Sequence, residues 1–125
     1  MKCLTATTAA IAPLLADPHG ADNMYGLIVK MTTTPGERDG VIAALKESTR
    51  DMPGCLSYVI AKDAVDENAV WVTEVWDSVA SHEASLSLAS VKNAISQVKT
   101  RISKVDRIAV TTPVMGVGLK SAQVP

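Results

Sequence analysis

The chain has 125 residues, 47% hydrophobic and 20% charged, with a formal net charge of −1. That length describes one domain able to bury a core without staples. The composition excludes a disordered chain, the charge excludes the basic field that nucleic-acid binding needs, and no apolar run is long enough to span a membrane.

Phe is absent, and two Trp and two Tyr are the only aromatic residues. The core must therefore be built from Val, Ile, Leu, Ala and Met, with Trp and Tyr as the bulky shape-makers. Cys3 and Cys55 show neither metal-ligand spacing nor a disulfide framework.

Residues 1–23 read differently from the rest. Lys2 is followed by a Thr- and Ala-rich stretch and then by Asp17-Pro18-His19-Gly20. The segment reads as an upstream extension, an ordered arm or a leader. A leader would direct the protein to a secreted or periplasmic location, and without one the expectation is cytoplasmic. His19 falls in this segment and is assigned no role.

The domain proper starts at Met24. Tyr25–Thr32 is an apolar, partly alternating strand. Thr33-Thr34-Pro35-Gly36 is a turn, with Thr34 as candidate N-cap, Pro35 at the first helical position and Glu37 three residues on, the pattern of a capping box. Glu37–Asp51 then has helical period, with Val41, Ile42, Leu45, Ser48/Thr49 and Met52 on one face. Pro53-Gly54 ends it.

Cys55–Lys62 is a second strand and Ala69–Trp76 a third, joined through the acidic turn Asp63–Asn68 as a hairpin. Asp77 or Ser78 caps a short helix containing His82. Leu88, Val91, Ile95, Val98 and Ile102 recur at spacings of three and four, which predicts a longer amphipathic helix. Val105–Thr112 is a fourth strand, and a Gly- and Val-containing tail follows from Pro113.

The order β-α-β-β-α-β predicts an α+β domain of ferredoxin-like topology, a four-stranded antiparallel sheet with helices on one face. Residues of both parities along the strands are apolar: Leu27 and Val29 against Ile28, Val70 and Val72 against Trp71 and Val75. Both faces are therefore expected to be buried. The helices cover one. The simplest cover for the other is the same face of a second copy, giving a homodimer.

The segment Val70–His82, VWVTEVWDSVASH, carries both tryptophans, a carboxylate and an imidazole at a strand-to-helix junction. Glu74 and Trp76 share a strand face by the two-residue period, and Trp71 points to the opposite face. One indole is a pocket wall and the other belongs to core or interface; the pattern does not say which. Each residue also has a structural reading. His82 can be a surface or capping histidine. Glu74 can be a carboxylate paired across the sheet with Lys30 or Arg107. Tyr25 and Tyr58 can be packing residues. Cys55, after a Pro-Gly turn and without a cationic neighbour, reads as a small buried residue rather than a nucleophile.

The order of elements, the boundary Met52-Pro53-Gly54-Cys55, the strand end Glu74-x-Trp76 and the following Asp77-Ser78…His82 resemble the antibiotic biosynthesis monooxygenase (ABM) superfamily over roughly Met24 to Pro113. The resemblance implies a dimeric α+β barrel with one pocket per subunit. It also implies, for one branch, oxygenases that use O2 on quinols, anthrones and polyphenols without metal or flavin. A haem-degrading branch requires an Asn in the middle of strand one and a haem-ligating His on the long helix. Strand one here offers Leu27, Ile28, Val29 and Lys30, and Val91–Lys104 contains no His, so neither requirement is met.

A cofactor-free oxygenase must turn its substrate into an anion that O2 can oxidise. That calls for a base titrating near neutrality, a dry aromatic-lined pocket and donors for the anion. His82 is the expected base. Glu74 would orient it or bind a substrate hydroxyl. Trp76, Tyr58, Trp71, Tyr25 and Leu27 are the candidate wall residues, and no metal site or cofactor is expected. The alternatives are a non-catalytic small-molecule-binding or stress-response dimer, and an isomerase or lyase using the same base.

Overall fold

The computed structural model describes residues 23–120. The extension or leader reading of residues 1–23, and with it Cys3 and His19, lies outside the described residues save for Asn23.

Seven elements follow in chain order: β1 (Tyr25–Thr33), α1 (Arg38–Ser48), β2 (Cys55–Lys62), β3 (Ala69–Trp76), α2 (Val79–Ser85), α3 (Ala89–Val98) and β4 (Ile102–Thr111). The strands form one antiparallel sheet in the order β2-β3-β1-β4. This is the expected ferredoxin-like α+β arrangement, with a short second-half helix ahead of the longer one. Among the described residues no helix is long and apolar enough to cross a membrane.

β2 and β3 have the predicted bounds, because a turn closes the hairpin between them. Asp63 Oδ1 accepts from the amides of Val65 and Asp66 at 2.9 and 2.8 Å, and Asp66 Oδ1 accepts from Asn68 N at 2.9 Å. Short acidic side chains thus satisfy the backbone where the chain reverses.

Three expectations need correction. Thr34 does not cap α1: its carbonyl accepts from Glu37 N at 3.1 Å, so Thr34–Glu37 is a turn with Gly36 at φ +83°. The helix opens at Arg38 with no side-chain cap. The helix predicted to Asp51 ends at Ser48, and its inner face carries Ala44 beside Val41 and Leu45. Finally, Ile102 belongs to β4 rather than to the long helix, and β4 starts three residues before Val105. There helical spacing merely continued across a break, because Arg101 N closes on Val98 O at 2.8 Å and the chain turns directly into the strand.

The helices pack on one face of the sheet. Val41 from α1 meets Val70 and Val72 from β3, and all three are fully buried. Burial of each such side chain contributes about 1.5–3 kcal/mol. A second cluster gathers Tyr25, Leu27 and Val29 of β1 around Met52 and Trp76.

The opposite face carries Ile28, Lys30, Val59, Trp71 and Thr73, as the strand registers require. Val59 is 52% exposed. Trp71 lies on this face, with its indole N–H donated to Asp63 Oδ2 at 2.8 Å and the Lys30 ammonium 5.6 Å from its ring centroid. The amide of Asp66 first, then the Trp71 indole and the amide of Val65, hold the Asp63 carboxyl below the usual range.

Candidate active site

Glu74 and Tyr58 are register partners on β3 and β2, side by side on the helix-facing side of the sheet. Trp76 follows two residues along β3 and shares that face. Its indole Nε1–H donates to Glu74 Oε1 at 2.8 Å, and the ring is 1% exposed. Strand period alone makes this pair.

His82 is brought in by α2. Ser78 is the N-cap, its Oγ accepting from Ser81 N at 3.1 Å. The junction is tied to the loop before β2, where Gly54 O accepts from Asp77 N at 2.9 Å. Gly54 has φ +86°, and a Cβ there would fall onto the Ser81 side chain and 2.9 Å from Asp77 Oδ1. Only glycine permits this close approach. One turn into α2, His82 lies over the sheet end. Its Nε2 is 3.9 Å from Glu74 Oε1, and its ring centroid is 5.2 Å from Tyr25 and 5.4 Å from Trp76, edge-on to the indole at 74°.

These groups open onto a cavity of about 410 Å³ between the sheet and the three helices. Glu74, Trp76, His82 and Tyr58 line one end. Met31, Leu45, Met52, Ala94 and Val98 form an apolar body, and Ile95, Lys99, Ile102 and Val105 extend it. Ser48 and Ser85 also line it, but their hydroxyls are donated to the carbonyls of Leu45 and His82.

Burial governs the electrostatics. It pushes the Glu74 carboxyl above its ordinary value, against the opposing pull of the Trp76 hydrogen bond and the Arg107 charge. It pushes His82 below its ordinary value, with Arg107 acting in the same direction. It holds the Tyr58 hydroxyl firmly protonated, reinforced by the Glu74 charge. At 3.9 Å the Glu74–His82 contact is an ion pair only when His82 is protonated. Burial thus favours the uncharged form of all three groups, the protonated carboxyl of Glu74, the neutral imidazole of His82 and the phenol of Tyr58, around one apolar space.

The structure brings together four of the seven expected site residues: His82, Glu74, Trp76 and Tyr58. Tyr25 and Leu27 do not line the cavity; they are buried in the cluster that contains Trp76, and the Tyr25 ring lies against that of His82. Trp71 is not a wall residue, because its parity sends it to the other face. The cross-sheet ion pair considered for Glu74 does not form either. Lys30 lies on the opposite face, and Arg107 acts on Glu74 only through its charge. Cys55 is a half-buried free thiol whose pKa burial pushes up. Lys99 escaped the sequence reading, since an exposed lysine after an amphipathic helix carries no signal of the cavity beneath it. Among the described residues no three His, Cys, Asp or Glu side chains converge as a metal would need.

A four-stranded antiparallel sheet with helices on one face, enclosing an apolar cavity with a carboxyl, an imidazole and a phenol at one end, defines a domain of the ferredoxin-like α+β class. The family described as antibiotic biosynthesis monooxygenase matches residues 24–97, and the chain belongs to that family. A crystal structure of a provisionally assigned antibiotic biosynthesis monooxygenase from Chloroflexus aurantiacus is 55% identical. It covers 77% of this chain and 98% of that one, with a TM-score of 0.74. Similarly assigned proteins from Nitrosomonas europaea (17% identity, 78% and 96% covered, TM-score 0.68) and Caulobacter crescentus (14%, 83% and 99%, TM-score 0.67) share the fold. No curated protein matches the sequence.

Proposed function

We propose that the protein is a cofactor-independent monooxygenase acting with O2 on a small electron-rich aromatic such as a quinol, anthrone or polyphenol. The supporting observation is the convergence of Glu74, His82 and Tyr58 on one end of an otherwise apolar cavity, with Trp76 fixing the carboxylate.

Neutral His82 takes a proton from the substrate hydroxyl or activated C–H. The imidazolium so formed faces the Glu74 carboxylate, which the Trp76 N–H holds in place. The Tyr58 hydroxyl, kept protonated by burial, donates to the substrate anion. In a water-poor cavity that anion is a better electron donor than in solution. One-electron transfer gives superoxide and a substrate radical, which combine at carbon. The peroxide anion takes back the proton held by the His82 imidazolium, and the hydroperoxide so formed loses water to leave a carbonyl. In sum a ring CH2 and O2 become C=O and H2O, all four electrons coming from the substrate.

The expected assembly is a homodimer, with a second copy covering the sheet face that carries Ile28, Val59 and Trp71. The test of function is oxygen uptake by metal-stripped protein over a panel of quinols, anthrones and catechols, beside His82→Ala. Uptake above spontaneous autoxidation and lost in the variant supports the reading. Ligand-induced thermal stabilisation without uptake replaces it with a binding role. Exchange of a substrate α-proton without uptake replaces it with an isomerase or lyase.

A further inference from the structure

The ionisable groups of the cavity are segregated. Glu74, His82 and Tyr58 occupy one end, and among the described residues Lys99 is the only lysine or arginine on its walls, Arg107 reaching Glu74 and His82 through its charge without lining the cavity. Lys99 forms no ion pair with any described residue. It follows the last turn of α3, where the exposed helix end favours a cation. It is exposed while also lining the cavity, the placement in which a lysine can keep its stem on apolar surface and its ammonium in water.

Two internal rulers give the separation. Val91, near the start of α3, packs against the cluster containing Trp76. Lys99 comes eight residues later, about 12 Å along the helix axis. On the sheet, Glu74 stands opposite Leu27 and Val105 opposite Met31. Four residues of strand separate those positions, about 13 Å. Helix and strand thus agree on an elongated cavity with a hydroxyl-handling end and a cationic end.

We infer that the substrate is an elongated hydroxyaromatic acid, its hydroxyl at Glu74, His82 and Tyr58 and its carboxylate at Lys99. This rests on the oxygenase reading only in taking the hydroxyl end as the reacting end. The two-ended shape stands on the cavity itself. A neutral quinol of one ring would fill only one end. A body of two or three rings bearing an anionic group at the far side fills both, and the Lys99 ammonium selects it from neutral analogues of the same shape.

The probes are 4′-hydroxybiphenyl-4-carboxylate and its methyl ester, titrated calorimetrically into the full chain. The acid should bind up to about fivefold more tightly than the ester, the size of one exposed charge pair. Lys99→Met should remove the preference by weakening the acid alone. Lys99→Arg should keep it, and Lys99→Glu should reverse it. Equal affinity of acid and ester for the unaltered protein, a preference surviving Lys99→Met, or no binding of either probe would overturn the inference. Oxygen uptake separates it from the function proposed above. Acid preference without uptake on any hydroxyaromatic sinks the oxygenase and leaves the two-ended site, whereas uptake on neutral quinols without acid preference does the reverse.

Discussion

Trp76 donates its indole N–H to Glu74 across 2.8 Å, two residues apart on one strand. The same carboxylate oxygen faces the His82 ring at 3.9 Å. Fixing one oxygen of Glu74 fixes the distance to the imidazole. Trp76→Phe keeps most of the ring and deletes the donor. A loss of about 1–3 kcal/mol in urea unfolding is expected at neutral pH, the cost of a buried acceptor left without its partner. Unchanged stability would mean that water replaces the indole.

Glu74 itself opposes folding when ionised. Its folded pKa is raised by burial, so the neutral form favours the fold, and that relative stability is lost as pH rises through the raised value. Glu74→Gln removes the charge and keeps a carbonyl for Trp76 to donate to. The variant should melt higher than the unaltered protein at pH 8. The difference should shrink as pH falls through the raised pKa and disappear below the ordinary value. Thermal melts across that range check the sign, and oxygen uptake should fall.

His82 has the opposite sign. Its folded pKa lies below 6.5, so the neutral ring favours the fold, and that contribution is lost as pH falls through the depressed value. The acid limb of kcat/KM should therefore have its midpoint below 6.5. His82→Ala should reduce turnover about 10²–10⁴-fold, the usual size of general-base catalysis. An acid limb above 6.5 would assign it to another group.

The Gly54 turn can be tested without touching the cavity. Gly54→Ala places a methyl on Ser81 at a backbone position that disfavours side chains. The expected loss is about 1–3 kcal/mol. Ser78→Ala removes the α2 N-cap, with an expected loss of about 1 kcal/mol. Because both act on the mount of His82, each should lower kcat while leaving the bulk circular dichroism intact.

The sheet face that none of the described helices covers predicts association. Val59→Asp puts a charge on that face far from the cavity. Sedimentation should show dimers for the unaltered chain and a shift to monomer for the variant. A monomer in both would remove the expected partner.

Much of this was legible in the sequence because strands announce parity. Alternation placed Glu74 and Trp76 together and Trp71 opposite, and the acidic turn fixed both ends of the hairpin. Which indole faced the cavity was not legible, because both strand faces are apolar and parity has no absolute sign. The α1 start was misread because Thr-Pro-Gly-Glu suits a turn as well as a cap, and Gly36 at positive φ decides for the turn. Ile102 was misassigned because periodicity does not register a chain reversal at Arg101. His82 was found by residue type, but its distance from Glu74 depends on Gly54, some twenty-eight residues away in sequence.

The two indoles stand on opposite sides of one sheet, each bound to a different carboxylate, Trp71 to Asp63 and Trp76 to Glu74. With Phe absent and only two Tyr, almost all the near-ultraviolet emission of the chain comes from this pair. Trp71→Phe leaves an emitter that reports on cavity occupancy, and Trp76→Phe leaves one that reports on events at the outer face. The protein thus carries an optical label on each side of its sheet, so that ligand entry and subunit association can be followed in one cuvette as separate signals.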